Sequence, residues 1–118
     1  MYSERLLHHF QNPRHVGELN PPAIMVEVTN PACGDILRLS ARFENNRVVE
    51  VAYKVRGCTA SIAAGSALTT IMEGKLVTEL ALVKPADVEA EVDGLNAESK
   101  HAAILCHDGL RALLRAFG

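Results

Sequence analysis

Three short stretches carry the residues able to do chemistry. The first is Asn30-Pro31-Ala32-Cys33-Gly34-Asp35, which puts a thiol and a carboxylate two residues apart. The second is Gly57-Cys58-Thr59-Ala60-Ser61, and the third is Lys100-His101-Ala102-Ala103. Cys33, Asp35, Cys58 and His101 are the soft and borderline donors that zinc, or the iron of an iron–sulfur cluster, takes as ligands. They are scattered along the chain and match no compact metal-binding spacing, so they act together only if the fold gathers them. Cys58 opens an apolar helical pattern, whose N-terminal dipole attracts an anion, the setting of a nucleophilic thiol. His8, His9 and His15 lie in a polar, loop-bounded stretch and share no face with the cysteines. They read as exposed or capping histidines.

The elements around these stretches follow from periodicity. Residues 3–11 read as a short helix capped by Ser3, with Leu6, Leu7 and Phe10 on one face, and Asn12-Pro13-Arg14 ends it. Residues 17–22 form a loop. Three strands follow: Ile24 to Thr29, Ile36 to Phe43 and Arg47 to Val55, the last two joined by a Glu44-Asn45-Asn46 hairpin turn. Alternation places Leu37, Leu39, Ala41 and Phe43 inward and Arg38, Ser40 and Arg42 outward on the second strand. On the third it places Val49, Val51, Tyr53 and Val55 on one face.

From Thr59 to Met72 the composition turns to Ala, Ser, Ile and Leu, a helix of small residues suited to close packing on a sheet. A shorter helix is predicted over Leu76 to Val83, and a helical turn or loop from Pro85 to Val88. Asp93-Gly94 is a break. The longest helix runs from Glu98 to Phe117, with Ala102, Leu105, Cys106, Gly109, Leu110, Leu113 and Phe117 as its apolar stripe. The expected fold is α+β, a three-stranded antiparallel meander with helices on one face, in a single domain spanning 1–118.

The totals narrow the function classes. The chain has 118 residues, 48% of them hydrophobic and 22% charged, with no tryptophan, so its core is aliphatic. A formal net charge of −2 gives no electrostatic footprint for nucleic acid or an anionic membrane. No run approaches bilayer length, and Met1-Tyr2-Ser3-Glu4-Arg5 has no apolar signal segment, which predicts a cytoplasmic setting. Three cysteines at no framework spacing predict free thiols.

Taken in order, several stretches resemble the U-type iron–sulfur cluster scaffold family, the NifU N-terminal-domain and IscU-like proteins. They are His9-Phe10-Gln11-Asn12-Pro13-Arg14-His15-Val16-Gly17, Pro31-Ala32-Cys33-Gly34-Asp35, the Cys58 helix start, Glu73-Gly74-Lys75, and His101-Ala102-Ala103-Ile104-Leu105 with Asp108. The resemblance covers nearly the whole chain. It implies a scaffold rather than an enzyme, receiving sulfur from a cysteine desulfurase and iron from a donor. A labile two-iron cluster would be built on Cys33, Asp35, Cys58 and His101 and handed to apo-proteins.

Two departures stand out. The family carries a cysteine directly after its histidine, and here that position is Ala102. Cys106, one helical turn further on and about 6 Å along the axis, reads as a buried core residue, with a substitute ligand or a relay thiol as the alternatives. The family's chaperone-recognised Leu-Pro-Pro-Val-Lys segment is replaced by Asn96-Ala97-Glu98-Ser99-Lys100, which leaves a chaperone pair without its motif. The rival readings are a degenerate paralogue that holds zinc or no metal and regulates the desulfurase machinery, and a thiol enzyme using Cys58 and His101.

Overall fold

The computed structural model describes residues 2–118. Three strands, β1 (Ile24–Thr29), β2 (Ile36–Glu44) and β3 (Arg47–Arg56), form an antiparallel sheet in the order β1-β2-β3. The β2–β3 turn places Asn45 and Asn46 at φ 53° and 62°, the left-handed geometry that Asn tolerates and tight hairpins require. Thr29 pairs with Ile36, and Ile36 with Arg56. The β1–β2 turn and the end of β3 therefore meet at one end of the sheet.

The second hairpin is not a plain alternating ladder. A bulge between Arg42 and Phe43 shifts the register, so that Phe43 faces Val48 while Arg42 faces Glu50. That slip changes the phase of β3. Val48, Val51 and Tyr53 are buried, and Val49, expected inward, is 40% exposed. Ser40, expected on a wet face, is buried as well. Residues 15–17 run parallel to β3 at Tyr53, with the Tyr53 N–H donating to the His15 carbonyl and the Gly17 N–H to the Tyr53 carbonyl, both at 2.9 Å. The chain then crosses the outer face, where the Leu19 N–H donates to Ser40 Oγ. Ion pairs line that face: Arg38 pairs with Glu18 and Glu27, and Arg42 with Glu44 and Glu50.

The helices cover the inner face. In α2 (Thr59–Met72) the small residues are what allow close approach: Ala60, Ala63, Ala64 and Ala67 are fully buried. A Cβ on Gly65 would fall 2.4 Å from the Tyr53 ring, so only glycine fits where helix and strand touch. The Tyr53 hydroxyl donates to the Ile62 carbonyl at 2.7 Å. The longest helix, α5 (Lys100–Phe117), lies over β1 and β2, with Gly109 against Leu37. Between these layers Leu37, Leu39, Leu68, Leu105, Leu110 and Leu113 are buried, each contributing about 1.5–3 kcal/mol of hydrophobic stabilisation.

The remaining elements fasten the ends. Helix α1 (Glu4–Gln11) is capped by Ser3, whose Oγ accepts the Leu6 N–H. His9, expected at the surface, is buried. Its Nδ1 lies 2.7 Å from Ser66 Oγ and its Nε2 3.5 Å from Glu91. His15 packs against Thr69 and Glu73. These two histidines tie the first helix and its following loop onto α2. Helix α3 (Val77–Leu80) is shorter than expected. The Pro85 stretch is a helix in its own right, α4 (Pro85–Glu91), because proline suits a first helical position. Asp93 and Gly94 at positive φ end it, and a 3-10 turn over Ala97–Ser99 leads into α5. Among the described residues, no helix is long and apolar enough to cross a membrane.

Candidate metal centre

The six-residue turn between β1 and β2 is stapled by its own backbone. Gly34 N–H donates to the Asn30 carbonyl at 2.7 Å, Asn30 N–H to the Asp35 carbonyl at 2.9 Å, and Asn30 Oδ1 accepts the Ala32 N–H at 2.9 Å. Gly34 takes φ 77°, which a side-chain-bearing residue rarely adopts. This geometry leaves Cys33 exposed at the turn and directs Asp35 inward, where it is only 7% exposed.

Cys58 arrives from the other side of the same sheet end. It is the N-cap residue of α2, with an exposed thiol, two residues beyond the Arg56 that pairs with Ile36. Gly57 is what lets this corner close. A Cβ there would lie 2.5 Å from Asp35 Cγ and 2.7 and 2.9 Å from its two oxygens. Ser61, one turn into α2, donates to Asp35 Oδ2 at 2.5 Å. Cys58 Sγ sits 3.5 Å from the same oxygen and 3.4 Å from Ser61 Oγ.

His101 completes the group from the first turn of α5. Its Nδ1 lies 2.9 Å from the Glu98 carbonyl. A carbonyl only accepts, so Nδ1 carries the proton and the Nε2 lone pair is free to act as a ligand. Nε2 is 3.6 Å from Cys58 Sγ and 3.6 Å from Asp35 Oδ2. Donor atoms of Cys33, Asp35 and His101 all lie within 4.8 Å of one another. Two triangles of donors, one through each exposed thiol, thus share the Asp35–His101 edge.

Asp35 is ionised in this setting. Burial alone would raise its carboxyl pKa, but hydrogen bonds from Ser61 and from the Cys58 backbone and thiol, with the nearby His101, hold it below the ordinary value. The anion is therefore present, fixed in place and ready to meet a cation.

The fold brings together all four of the donors singled out from the sequence. It keeps two other residues away: Ala102 is fully buried, and Cys106 is 1% exposed, with its thiol pushed by burial up to about 12. Three contributors were not evident from sequence. Ser61 holds the carboxylate, Gly57 makes room for it, and the Glu98 carbonyl sets the histidine tautomer. Ser61 was the most accessible of these, since it falls three residues after Cys58 on one helix face. The clefts elsewhere, about 340 Å³ over Glu27, Arg38, Lys54 and Arg56 and about 540 Å³ beside Arg5, His8, His9 and Arg14, do not include the four donors. The four donors lie at an open end of the sheet, with both of its thiols exposed.

The chain has relatives among known proteins. It is 33% identical over 111 residues to an iron–sulfur cluster assembly scaffold protein IscU 1 of Archaeoglobus fulgidus, covering 94% of this chain and 72% of that one. It is 33% identical to a scaffold protein IscU of Haemophilus influenzae, covering 96% and 92%. It is 40% identical over 118 residues to a bifunctional protein NifU/MnmA of Rubrobacter xylanophilus, of which it spans 24%. In fold it is similar to a crystal structure titled a putative iron–sulfur cluster assembly scaffold protein for the SUF system, from Fervidobacterium islandicum. That likeness has a TM-score of 0.78 at 21% identity, over 96% of both chains. A family model described as NifU-like N terminal domain matches residues 1–118. The chain belongs to the NifU-like N-terminal domain family.

Proposed function

We propose that this protein is an iron–sulfur cluster assembly scaffold that holds iron, or a labile two-iron cluster, on Cys33, Asp35, Cys58 and His101 and passes it to apo-proteins. The observation that carries the reading is the convergence of these four donors at one exposed end of the sheet, with Asp35 already anionic and the His101 tautomer already fixed. Relatives named iron–sulfur cluster assembly scaffolds support it.

The donor types suit a temporary cargo. Thiolates bind iron and sulfide strongly, whereas a carboxylate and an imidazole are harder ligands that exchange more readily. Both thiols face outward, within reach of a sulfur donor and of an acceptor protein. Sulfur would come from a cysteine desulfurase, and the work would be done in the cytoplasm by a single domain that carries rather than turns over its cargo. Cys106 belongs to the core in this reading and takes no part.

One observation favours a second use of the same donors. Tetrahedral coordination at bond lengths of about 2.0–2.3 Å has ligand–ligand edges of roughly 3.3–3.8 Å. The edges among Cys58, Asp35 and His101, at 3.5, 3.6 and 3.6 Å, fall in that range. A single zinc or iron ion therefore fits the resting geometry, and a zinc-holding module acting on the desulfurase machinery would use it.

Anaerobic reconstitution with iron and sulfide, followed by incubation with an apo-ferredoxin, separates the two. A scaffold develops visible sulfide-to-iron absorption and loses it to the ferredoxin. Zinc uptake without any chromophore would favour the regulatory module.

A further inference from the structure

We propose that the basic cleft on the outer sheet face, next to the metal centre, binds a small di- or tricarboxylate and takes up iron as its carboxylate complex. The binding stands on the cleft alone, and the part given to iron rests on the scaffold reading above.

The cleft has a volume of about 340 Å³ and is lined by Glu27, Ile36, Arg38, Lys54, Val55 and Arg56. Strand register puts Glu27, Arg38 and Lys54 in one row across the sheet, with Ile36 opposite Arg56 two positions further on. Positions two apart on a strand share a face, so Lys54 and Arg56 have Cα atoms about 7 Å apart. Arg38 stands about 5 Å across from Lys54. Arg38 is already paired, with Nε 2.7 Å from Glu27 and a terminal nitrogen 2.9 Å from Glu18. Those two contacts occupy the nearby carboxylates. Lys54 and Arg56 are exposed and make no ion pair among the described residues. Like charges directly opposite each other weaken a sheet, so an anion seated beside Arg38 and Lys54 relieves a repulsion built into the strands. In a chain of net charge −2 this is a local excess of positive charge, which draws anions to one place.

The lining selects the ligand. Two free cations on one strand fit two carboxylate groups, and a guanidinium receives a carboxylate through paired N–H bonds. The half-buried side chains of Ile36 and Val55 offer an apolar floor to the carbon chain that joins the carboxylates, which inorganic phosphate lacks. A nucleic acid duplex engages many phosphates at once, more than two free cations flanked by Glu18 and Glu27 can serve.

Residues 18–23 lie over the far part of this face, at Ser40, Arg42 and Glu50. The end left open is the one that carries the centre. Ile36 follows Asp35, and Arg56 stands two residues before Cys58, a span of at most about 7 Å. A complex seated on Lys54 and Arg56 therefore brings its iron to the edge of the donor group. Carboxylate oxygens are hard ligands, and thiolates are the softer donors that iron–sulfur chemistry favours. In the exchange, iron leaves a carboxylate oxygen for the Cys58 sulfur and the thiol proton passes to the freed carboxylate. Ferrous iron stays ferrous, and no electron moves.

Isothermal titration of citrate into the metal-free natural chain at low salt tests the cleft without any iron. The expected result is one citrate per chain with a Kd tighter than about 1 mM, weakening as salt rises. Lys54→Gln/Arg56→Gln should weaken citrate binding at least about tenfold, and Lys54→Arg should retain it. Co(II) titration of the double variant should match the natural chain, which separates a folding failure from loss of the anion site. No citrate binding by the natural chain, equal binding by the double variant, or tighter binding of inorganic phosphate would overturn the inference. A second arm follows anaerobic iron uptake from ferrous citrate and from ferrous sulfate. The natural chain should load from citrate about tenfold faster than the double variant, and the two should load alike from sulfate. Equal rates from citrate would overturn the part given to iron. No iron uptake by the natural chain from either salt would sink the scaffold reading and leave the citrate titration to decide the cleft.

Discussion

Gly57→Ala is the sharpest perturbation of the centre that replaces none of its four donors. Gly57 lies outside the left-handed backbone region, so alanine brings no backbone penalty of that kind and the effect comes from its Cβ alone. That atom would sit 2.5 Å from Asp35 Cγ, whereas ordinary contact begins near 3.4 Å. The carboxylate must therefore withdraw by about 0.9 Å. Its bond from Ser61, now 2.5 Å, is weakened by such a shift, and the 3.5 Å approach of Cys58 Sγ is disturbed with it. Hydrogen bonds to a charged group are worth about 1.5–3 kcal/mol net, or about 10–100-fold in affinity, the range found when a ligand's supporting partner is lost. A Co(II) titration followed by visible absorption, with zinc competition, reads this directly. Gly57→Ala should bind Co(II) about 10–100-fold more weakly than the natural chain. Binding within twofold would refute the idea that the Gly57 contact positions Asp35.

Three further outcomes follow from the core. His9 has its pKa lowered below the ordinary 6.5, burial outweighing the opposing pull of Glu91. The unfolded chain then takes up a proton that the folded chain refuses, so His9's contribution to stability is full above pH 6.5 and is lost as pH falls below it. Urea melts between pH 8 and pH 5.5 should show a steeper loss for the natural chain than for His9→Asn, and parallel slopes would contradict this. Cys106, buried and with its thiol raised to about 12, should escape alkylation by iodoacetamide at pH 8 in the folded state while Cys33 and Cys58 react. Peptide mapping that finds Cys106 labelled as fast as Cys58 would place it at the surface. Cys106→Ala should cost about 1 kcal/mol of stability and leave metal uptake intact.

The four donors were legible as one set through the family resemblance, and each stands at an element boundary that the sequence marks clearly. Pro31 and Gly34 bracket the Cys33 turn, Gly57 precedes the Cys58 helix start, and His101 follows a loop rich in small polar residues. The Asn45-Asn46 hairpin then draws Asp35 and Cys58 to one sheet end through the Ile36–Arg56 pair. What escaped depended on contacts between distant parts of the chain. The bulge after Arg42 leaves no mark in composition, yet it exchanges the roles of Val48 and Val49. Ser40 looks solvent-facing by alternation and is covered by residues some twenty positions earlier. His9 sits in a polar run and is buried only because Ser66 on α2 receives it. Ser61 escaped for a related reason: its hydroxyl matters through Asp35, twenty-six residues away, rather than through a pattern of its own.

The central claim is that Cys33 and Cys58, supported by Asp35 and His101, hold iron–sulfur cargo. Iron-edge X-ray absorption on the anaerobically reconstituted protein tests it most directly, comparing the natural chain with the Cys33→Ser/Cys58→Ser double variant. The expected spectrum of the natural chain has a sulfur-dominated first shell and an iron–iron shell, both absent from the double variant. An oxygen- and nitrogen-dominated shell with no neighbouring iron in the natural chain, or an unchanged spectrum in the variant, would contradict the account.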